Sequence, residues 1–206
     1  MIGLVGKKVG MTTVFGDDGR AEPVTILQAG PCEIVQIKTP ERDGYSALQL
    51  GFDPTAKNRI KKPMAGHFEK AGTKMYKKLK EFRVDKLDGF EVGQSLTVSE
   101  FEVGEKVKVT GISKGKGFQG GLRRHGFKGG PKTHGQSDKW KGPGSIGQSS
   151  SPSRVFKGTK MAGRMGGEKV TRTGIEVIEV DSENNLILVK GPVAGPRSGY
   201  IIIRKG

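Results

Sequence analysis

Hydrophobic and polar residues alternate along two short stretches of the chain, KVKVT at 106–110 and IEVIEV at 175–180. Alternation with a period of two is typical of strands that have one buried and one exposed face. Further short runs rich in apolar and β-branched residues lie at 24–29, at 33–38 and in the sequences SALQLGF, NLILVKG and GYIIIRK. Together these runs predict a mainly β fold, either a small barrel or a sandwich.

Turn signals separate several of these runs. Gly30-Pro31 divides the runs at 24–29 and 33–38, and an Asp-Gly pair predicts a hairpin turn at Asp17–Gly19. The polar sequence DSENN (181–185) lies between two apolar runs and predicts a second turn. Short strands joined by such turns agree with the mainly β interpretation.

Residues 65–82 have a different pattern and are predicted to form a helix. Met75, Leu79 and Phe82 fall at positions i, i+4 and i+7, which would place them on one face of that helix. Several lysines lie off this stripe: Lys74, Lys77, Lys78 and Lys80. They form either a solvated helix surface or a flank that faces phosphate groups.

Positive charge changes the functional picture, because it is concentrated in one part of the chain. The formal net charge is +15, and the 58 residues from Gly111 to Glu168 contain twelve Lys or Arg and only two acids. The same residues hold 16 of the 34 glycines. Such an excess indicates a polyanionic partner. A membrane surface is disfavoured, since there is no amphipathic basic helix and no apolar run near 18 residues.

The basic stretch has the chemistry of an RNA ligand. Lysine and arginine neutralise phosphates, and glycine lets the backbone approach a sugar-phosphate chain closely. Four aromatic residues lie between the charges and either stack on RNA or form a small satellite core: Phe118, Phe127, Trp140 and Phe156. Within it, GPGSIGQSSSPSR (142–154) has one large apolar residue, Ile146, so it has little to bury by itself.

Catalytic and cofactor sites are not indicated by the sequence. GKGFQG (115–120) fits a G-x-G-x-x-G pattern, but the residues that follow lack a helical period, and Asp138 does not end a strand. The three histidines have no metal-ligand spacing, and no nucleophile or paired-carboxylate set is present. We therefore expect no enzyme activity, no catalytic residue, no cofactor, no metal and no small-molecule substrate.

The N-terminus and the single cysteine bear on the cellular compartment. The apolar part of MIGLVGKKVGM is too short for a signal peptide. Cys32 lies in an apolar run and is interpreted as a small core residue, and one cysteine cannot form a disulfide within the chain. These features predict a reducing, cytoplasmic location.

Several long motifs in the same order resemble the bacterial ribosomal protein L3 family of the large subunit. They include IGLVGKKVGMTTVF, AGPCEIVQIKT, KPMAGHFEKAG and KEFRV in the first half of the chain. VTGISKGKGFQGGLRRHGFKGGPKTHG, GPGSIGQSSSPSRVFKGTKMAGRMGGEKVT and NLILVKGPVAGPRSGYIIIRK follow. The resemblance covers essentially the whole length. Two parts, SSSPS and Arg124-His125, depart from the commonest wording of the family.

The resemblance implies a discontinuous fold. A translation-protein-type β-barrel would be assembled from residues 1–46, 88–112 and 168–206. A small α/β insertion would cover residues 47–87, and a long Gly-rich basic extension, residues 113–167, would thread into ribosomal RNA.

The resemblance also implies a function. The protein would be a structural constituent of the large ribosomal subunit that binds large-subunit ribosomal RNA, nucleates early assembly and contacts neighbouring large-subunit proteins. Its extension tip would approach and support the peptidyl transferase centre without supplying catalytic groups. The implied location is the cytoplasmic ribosome.

Most residues expected to bind ribosomal RNA lie in the extension. They are Lys7, Lys8, Lys114, Lys116, Arg123, Arg124, His125, Lys128, Lys132, His134, Lys139, Trp140, Lys141, Arg154, Lys157, Lys160 and Arg164. The residues expected at the tip are Gly144, Ser145, Ile146, Gly147, Gln148, Ser149 and Ser150. Gln148 matches the glutamine of the family motif G-S-I-G-Q. It is either a candidate for N5-methylation by a glutamine methyltransferase or an unmodified hydrogen-bonding group.

A second interpretation stays open at this point. A different RNA-binding module, such as an assembly or translation factor that binds transiently, would also suit a barrel with a basic loop. Retention on large subunits at high salt separates the two, because a threaded extension should resist washing.

Overall fold

The structure, a computed structural model, describes residues 3–16, 19–85, 87, 89–136 and 138–206. Its strands are β1 (Gly3–Phe15), β2 (Ala21–Ala29), β3 (Cys32–Lys38), β4 (Ala47–Pro54), β5 (Tyr76–Arg83), β6 (Ser95–Leu96), β7 (Lys106–Ile112), β8 (Phe118–Gln119), β9 (Gly163–Arg164), β10 (Lys169–Asp181), β11 (Leu186–Lys190) and β12 (Tyr200–Lys205). Its α-helices are α1 (Pro40–Asp43), α2 (Lys62–Ala71) and α3 (Gly121–His125).

The chain separates into two units. The first, which we call the barrel unit, comprises residues 1–112 and 169–206, and the second, the basic segment, comprises residues 113–168. Six strands of the barrel unit form a closed antiparallel barrel in the order β1-β12-β7-β10-β11-β2. This confirms the prediction of a mainly β fold whose barrel is closed from N-terminal and C-terminal parts of the chain.

The apolar residues at every second position of the strands fill the interior of the barrel. In β7, Val107 and Val109 are buried while the lysines between and before them face outward. Ile203 of β12 pairs with Val109 and is also fully buried. Gly111 continues the inward row where the backbone of Ala194 comes close, and a Cβ there would lie 2.5 Å from the Ala194 carbonyl oxygen. Only glycine fits this position without displacing backbone.

A second sheet of four strands, in the order β5-β4-β3-β6, packs in the same unit. Its residues Leu48, Leu50 and Phe82 join the apolar core that also contains the barrel residues. Helix α2 buries Phe68 against Val35 and Tyr76, which form a separate small core. The run at 33–38, assigned from sequence to the barrel segment, lies in this sheet as β3, because Ile34 pairs with Leu50.

The predicted helix over residues 65–82 is wrong in its second half. Helix α2 ends at Ala71, and Gly72 adopts a left-handed φ of +65° that caps it. Residues 76–83 instead form strand β5, which pairs with β4 from Tyr76 opposite Pro54 to Arg83 opposite Ala47. Pairing with β4 outweighs the helical spacing of the three apolar residues, since the tertiary context overrides a weak local pattern.

The two predicted turns connect paired strands. Phe15 of β1 lies opposite Ala21 of β2, although Asp17 and Asp18 of the predicted turn lie outside the described residues. Between β10 and β11, Asp181 Oδ1 accepts hydrogen bonds from the backbone N–H groups of Glu183 and Asn184 at 3.0 and 3.1 Å.

Among the described residues, no helix has the length and apolar character needed to span a membrane.

Candidate nucleic-acid interface

The basic segment begins and ends on a short antiparallel ladder. Ser113 and Glu168 are joined by a backbone hydrogen bond of 2.9 Å, and the N–H of Lys116 donates to the carbonyl of Met165 at 2.8 Å. Further along, Phe118 of β8 pairs with Arg164 of β9. Gly166 has a φ of +73° and lies against the Lys114 carbonyl, where a side chain would collide. The ladder therefore fixes both ends of the segment.

Helix α3 follows β8 and is tied to the returning chain by two of the predicted RNA ligands. Arg124 Nη1 and His125 Nε2 each contact the carbonyl oxygen of Met161 at 2.9 Å. Gly163 gives Arg124 room, since a Cβ at that position would lie 2.6 Å from Arg124 Nη1. Arg123, by contrast, is exposed. Arg124 and His125 thus have a positioning role within the segment.

Trp140 organises a second group of charges. The ammonium nitrogens of Lys132 and Lys141 lie 4.3 and 4.4 Å from the centroid of the indole ring. This distance is within the range of cation–π attraction. The Trp140 carbonyl accepts a hydrogen bond of 3.0 Å from the N–H of Gly130. Trp140 therefore holds two lysines on its ring, which is neither of the two roles predicted from the sequence, stacking on RNA or forming a satellite core.

The basic segment has no apolar core of its own. No residue in its described part is buried, and the exposed fractions of Phe118 and Phe156 reach 76% and 53%. Most of the predicted RNA ligands in the segment are exposed as well: Lys114, Lys116, Arg123, Lys128, Lys132, His134, Lys139, Lys141, Arg154, Lys157, Lys160 and Arg164. A segment that buries so little gains almost no hydrophobic stabilisation to offset its conformational entropy.

The charges of the segment are also left without internal counterions. None of its twelve Lys and Arg side chains forms an ion pair with a described residue, whereas the ion pairs that the structure contains lie in the barrel unit. Twelve cations and two acids in 113–168 therefore present an almost uncompensated positive surface. The arrangement is suited to neutralising a polyanion.

The predicted tip residues form an exposed, locally bonded loop. Ser145 Oγ donates to the Gly147 carbonyl at 3.0 Å, and the Ser153 hydroxyl donates to the Ser150 carbonyl. Ile146 is 46% exposed, and Gln148 is exposed with no side-chain hydrogen bond to a described residue. The remaining tip positions, Gly144, Ser149 and Ser150, are exposed too. The Gln148 amide is thus accessible to a partner.

Lys7, one of the two predicted ligands outside the segment, has a partner within the barrel unit. Its Nζ lies 2.8 Å from Asp53 Oδ2, which also accepts a 2.6 Å hydrogen bond from the Tyr200 hydroxyl. Partial burial raises the pKa of Asp53, but the hydrogen bonds from Lys7 and Tyr200 outweigh this and hold it below its ordinary value. Burial, followed by the bond to Asp53, raises the pKa of Tyr200 to about 12.

Lys8 is buried, and its ammonium donates to the Val193 carbonyl at 2.8 Å. Removing a buried ammonium from its acceptor would be costly. Lys7 and Lys8 therefore serve internal contacts, and we leave them out of the interface proposed below. Their contacts join residues far apart in the chain, so no local sequence signal could have revealed them.

A second basic group lies on the barrel unit, and of its four members the sequence had singled out only Lys80, as part of a possible phosphate-facing flank. Lys80 and Arg83 of β5, Lys108 of β7 and Arg204 of β12 line one cleft. The alternation of β7 and β12 predicts outward positions for Lys108 and Arg204, but only the strand order shows that these two residues are neighbours.

The described residues contain no group of three or more His, Cys, Asp or Glu placed to hold a metal ion. Cys32 is buried, and its thiol donates to the Val5 carbonyl at 3.3 Å. Burial raises the pKa of this thiol to about 12, so it is a poor nucleophile.

Comparisons with known proteins agree on one family. The family model described as "Ribosomal protein L3" matches residues 61–186. The chain is 52% identical to the large ribosomal subunit protein uL3 of Carboxydothermus hydrogenoformans, over 98% of this chain and 96% of that protein. It is 52% identical to uL3 of Natranaerobius thermophilus over 97% and 94% of the two chains. It is 51% identical to uL3 of Thioalkalivibrio sulfidiphilus over 100% and 97%.

Proposed function

The chain belongs to the ribosomal protein L3 family, and we propose that it binds large-subunit ribosomal RNA through its basic segment, residues 113–168. Its established class is that of a structural, non-enzymatic constituent of the large ribosomal subunit. The observation that carries the proposal is the state of the segment, in which twelve cations have no acidic partner among the described residues and no described residue is buried. RNA phosphates would supply both the counterions and the ordering contacts.

The arrangement of side chains supports particular roles within this interface. Lys132 and Lys141, held on the Trp140 ring, form a pair of cations for adjacent phosphates. A cleft of about 640 Å³ beside them is lined by Phe127, Lys128 and Lys139 together with glycine backbone, and it offers room for an unpaired nucleotide. Phe118 is exposed enough to stack on a base, whereas the Arg154 guanidinium lies 5.8 Å from the centroid of the Phe156 ring and would present its charge there.

The loop 142–154 is proposed to be the tip that approaches the peptidyl transferase centre. Its small residues leave the backbone accessible, which suits a narrow path between RNA helices. The exposed Gln148 amide is the proposed position of N5-methylation, by a methyltransferase that acts before the tip is enclosed. Mass spectrometry of the native protein tests this, since a Gln148 peptide without the added methyl group contradicts it.

Early assembly and contacts with neighbouring large-subunit proteins belong to the same proposal. A segment that is ordered by RNA would associate before the surrounding RNA closes around it, and it would then resist washing at high salt. A transient assembly factor would instead dissociate. Retention of the protein on purified large subunits across a salt series therefore separates these two roles.

The main test measures binding to large-subunit ribosomal RNA across a salt series. The intact chain is compared with a variant in which residues 114–165 are replaced by a short Gly/Ser linker. Each phosphate contact contributes roughly 0.7–0.9 to the slope of log affinity against log salt, so losing twelve contacts would lower the slope by up to about 8–11. A control of unchanged length carries glutamine in place of the twelve Lys and Arg residues of the segment.

Weaker binding and a flatter slope in both variants support the proposal. An unchanged slope in both would contradict it and would place the RNA contacts on the barrel unit. Thermal unfolding of each variant checks that the barrel has folded.

A further inference from the structure

We propose that the barrel unit carries a second, independent binding site for the phosphodiester backbone of ribosomal RNA, in the cleft that contains Lys80, Arg83, Lys108 and Arg204. The cleft has a volume of about 660 Å³, and its cations come from β5 of the four-stranded sheet and from β7 and β12 of the barrel. The inference goes beyond the interface proposed for residues 113–168 and does not depend on it.

Two of these cations face each other across a strand pair. Arg204 of β12 lies directly opposite Lys108 of β7 in the barrel register. Both residues alternate with buried valine or isoleucine, so both point to the outer face of the barrel. Like charges placed directly opposite one another destabilise a sheet. The barrel gains nothing from this pair by itself, whereas a bound anion would turn the repulsion into attraction.

Two acids, Glu81 and Asp85, line the cleft beside its cations, and neither of them is free of a partner. Glu81 lies 3.0 Å from Lys38 and accepts a 2.9 Å hydrogen bond from the Tyr45 hydroxyl. Lys205, a fifth cation of the cleft, is 3.6 Å from Glu105. Lys80, Arg83, Lys108 and Arg204, in contrast, form no ion pair with any residue in the described part of the chain. The cleft therefore holds four cations available to an anionic partner.

Aromatic rings position the two guanidinium groups. The Arg83 guanidinium carbon lies 5.1 Å from the centroid of the Tyr45 ring, and that of Arg204 lies 5.4 Å from the Phe82 ring. Phe82 is itself fixed in the core, where it packs against Gly3. A guanidinium held over a ring keeps its charge and its N–H edges for bidentate contacts with phosphate.

The same contacts indicate which part of the RNA is recognised. Because the guanidinium groups occupy the Tyr45 and Phe82 rings, these rings are poor platforms for base stacking. Among the described residues, none of the exposed large apolar side chains lines the cleft, so the cleft lacks an apolar surface on which a protein side chain could pack. Cations on short strands instead suit a regular row of phosphates, and we expect affinity at this site to be independent of base sequence.

The test uses the full chain and large-subunit ribosomal RNA across a salt series. The variant Lys108→Gln/Arg204→Gln is expected to lower the slope of log affinity against log salt by about 1.4–1.8, as two lost phosphate contacts require. The charge-matched control is Lys62→Gln/Lys70→Gln, which removes two exposed lysines of α2 outside the cleft and should leave the slope unchanged. Arg204→Lys should retain the slope but weaken binding, because it loses the fork and the ring contact.

The melting temperature of the variant separates a role of these residues in RNA binding from a role in folding. Removing the opposed charges should leave the melting temperature unchanged or raise it, while RNA binding weakens. If Lys108→Gln/Arg204→Gln matches the control in its slope, the proposal is overturned. An unchanged slope combined with loss of the variant from assembled large subunits would assign the cleft to an acidic protein segment and would also overturn it. Either result leaves the test of residues 113–168 intact, since that test alters different residues.

Discussion

Asp53 is the centre of a small polar cluster that joins the four-stranded sheet to the barrel, and its removal makes a quantitative prediction. Its Oδ2 lies 2.8 Å from Lys7 Nζ and accepts a 2.6 Å hydrogen bond from the Tyr200 hydroxyl. The side chains of Lys7 and Asp53 are 28% and 23% exposed. A partly exposed ion pair contributes up to about 1 kcal/mol, and a hydrogen bond to a charged group about 1.5–3 kcal/mol. Asp53→Asn retains the shape and part of the Tyr200 bond, so we expect a loss of about 1–2 kcal/mol near neutral pH.

Substitutions at Asp53 distinguish the effect of its charge on stability from the effect of its backbone conformation. Its φ is +66°, a left-handed conformation that asparagine tolerates, glycine adopts freely and alanine resists. Asp53→Ala should therefore be about 1 kcal/mol less stable than Asp53→Gly, beyond the contacts that both variants lose. Urea unfolding of the three variants and of the unsubstituted protein measures these differences.

The pH dependence gives the sharpest test of the cluster. The pKa of Asp53 is lower in the folded state than in the unfolded state, where it is about 3.9. The ionised carboxylate therefore contributes fully to the free energy of unfolding above the unfolded-state pKa, and this contribution is lost as the pH falls through the folded-state pKa. The difference between the unsubstituted protein and Asp53→Asn should therefore shrink on acidification. A difference that stays constant from neutral pH to about pH 3 would refute the assignment of the stabilisation to the ionised carboxylate.

Three other predictions follow from individual contacts. Gly111→Ala should lower the free energy of unfolding by about 1–3 kcal/mol, because its Cβ would lie 2.5 Å from the Ala194 carbonyl oxygen, and chemical denaturation measures the loss. Cys32 should resist alkylation at mildly alkaline pH until the protein unfolds, since burial raises its pKa to about 12; rapid labelling of the folded protein would contradict this. Trp140, the single tryptophan, should change its fluorescence when ribosomal RNA binds the two lysines on its ring, and the change should be smaller in Lys132→Gln/Lys141→Gln, which retains the tryptophan; an equal change in that variant would contradict the assignment.

The barrel could be predicted from the sequence because its strands carry their own signal. In β7 and β12, buried residues recur at every second position, and polar turn residues separate β10 from β11. The sequence around β5 carried a misleading signal, since Met75, Leu79 and Phe82 have helical spacing although only Leu79 and Phe82 lie in the strand. Its true state depends on pairing with β4, a contact that local sequence does not encode.

The basic segment could be predicted as an interaction site because charge and glycine content are properties of composition. The roles of individual residues could not. Lys8 is predicted from the sequence to bind RNA, yet its ammonium donates to the carbonyl of Val193, which lies 185 residues further along the chain. Lys108 and Arg204 become neighbours only through the strand order of the closed barrel. Such positions depend on long-range pairing, so they appear only when the fold is known.

The strand order has a consequence for biosynthesis. Strand β12 lies between β1 and β7 in the barrel, yet it is synthesised after every other described strand. Until residue 205 has left the translating ribosome, β1 and β7 each retain an unpaired edge, and open strand edges are sites of aggregation. Residues 113–168 emerge earlier, so a nascent chain presents its cationic stretch to nearby RNA while its barrel is still open.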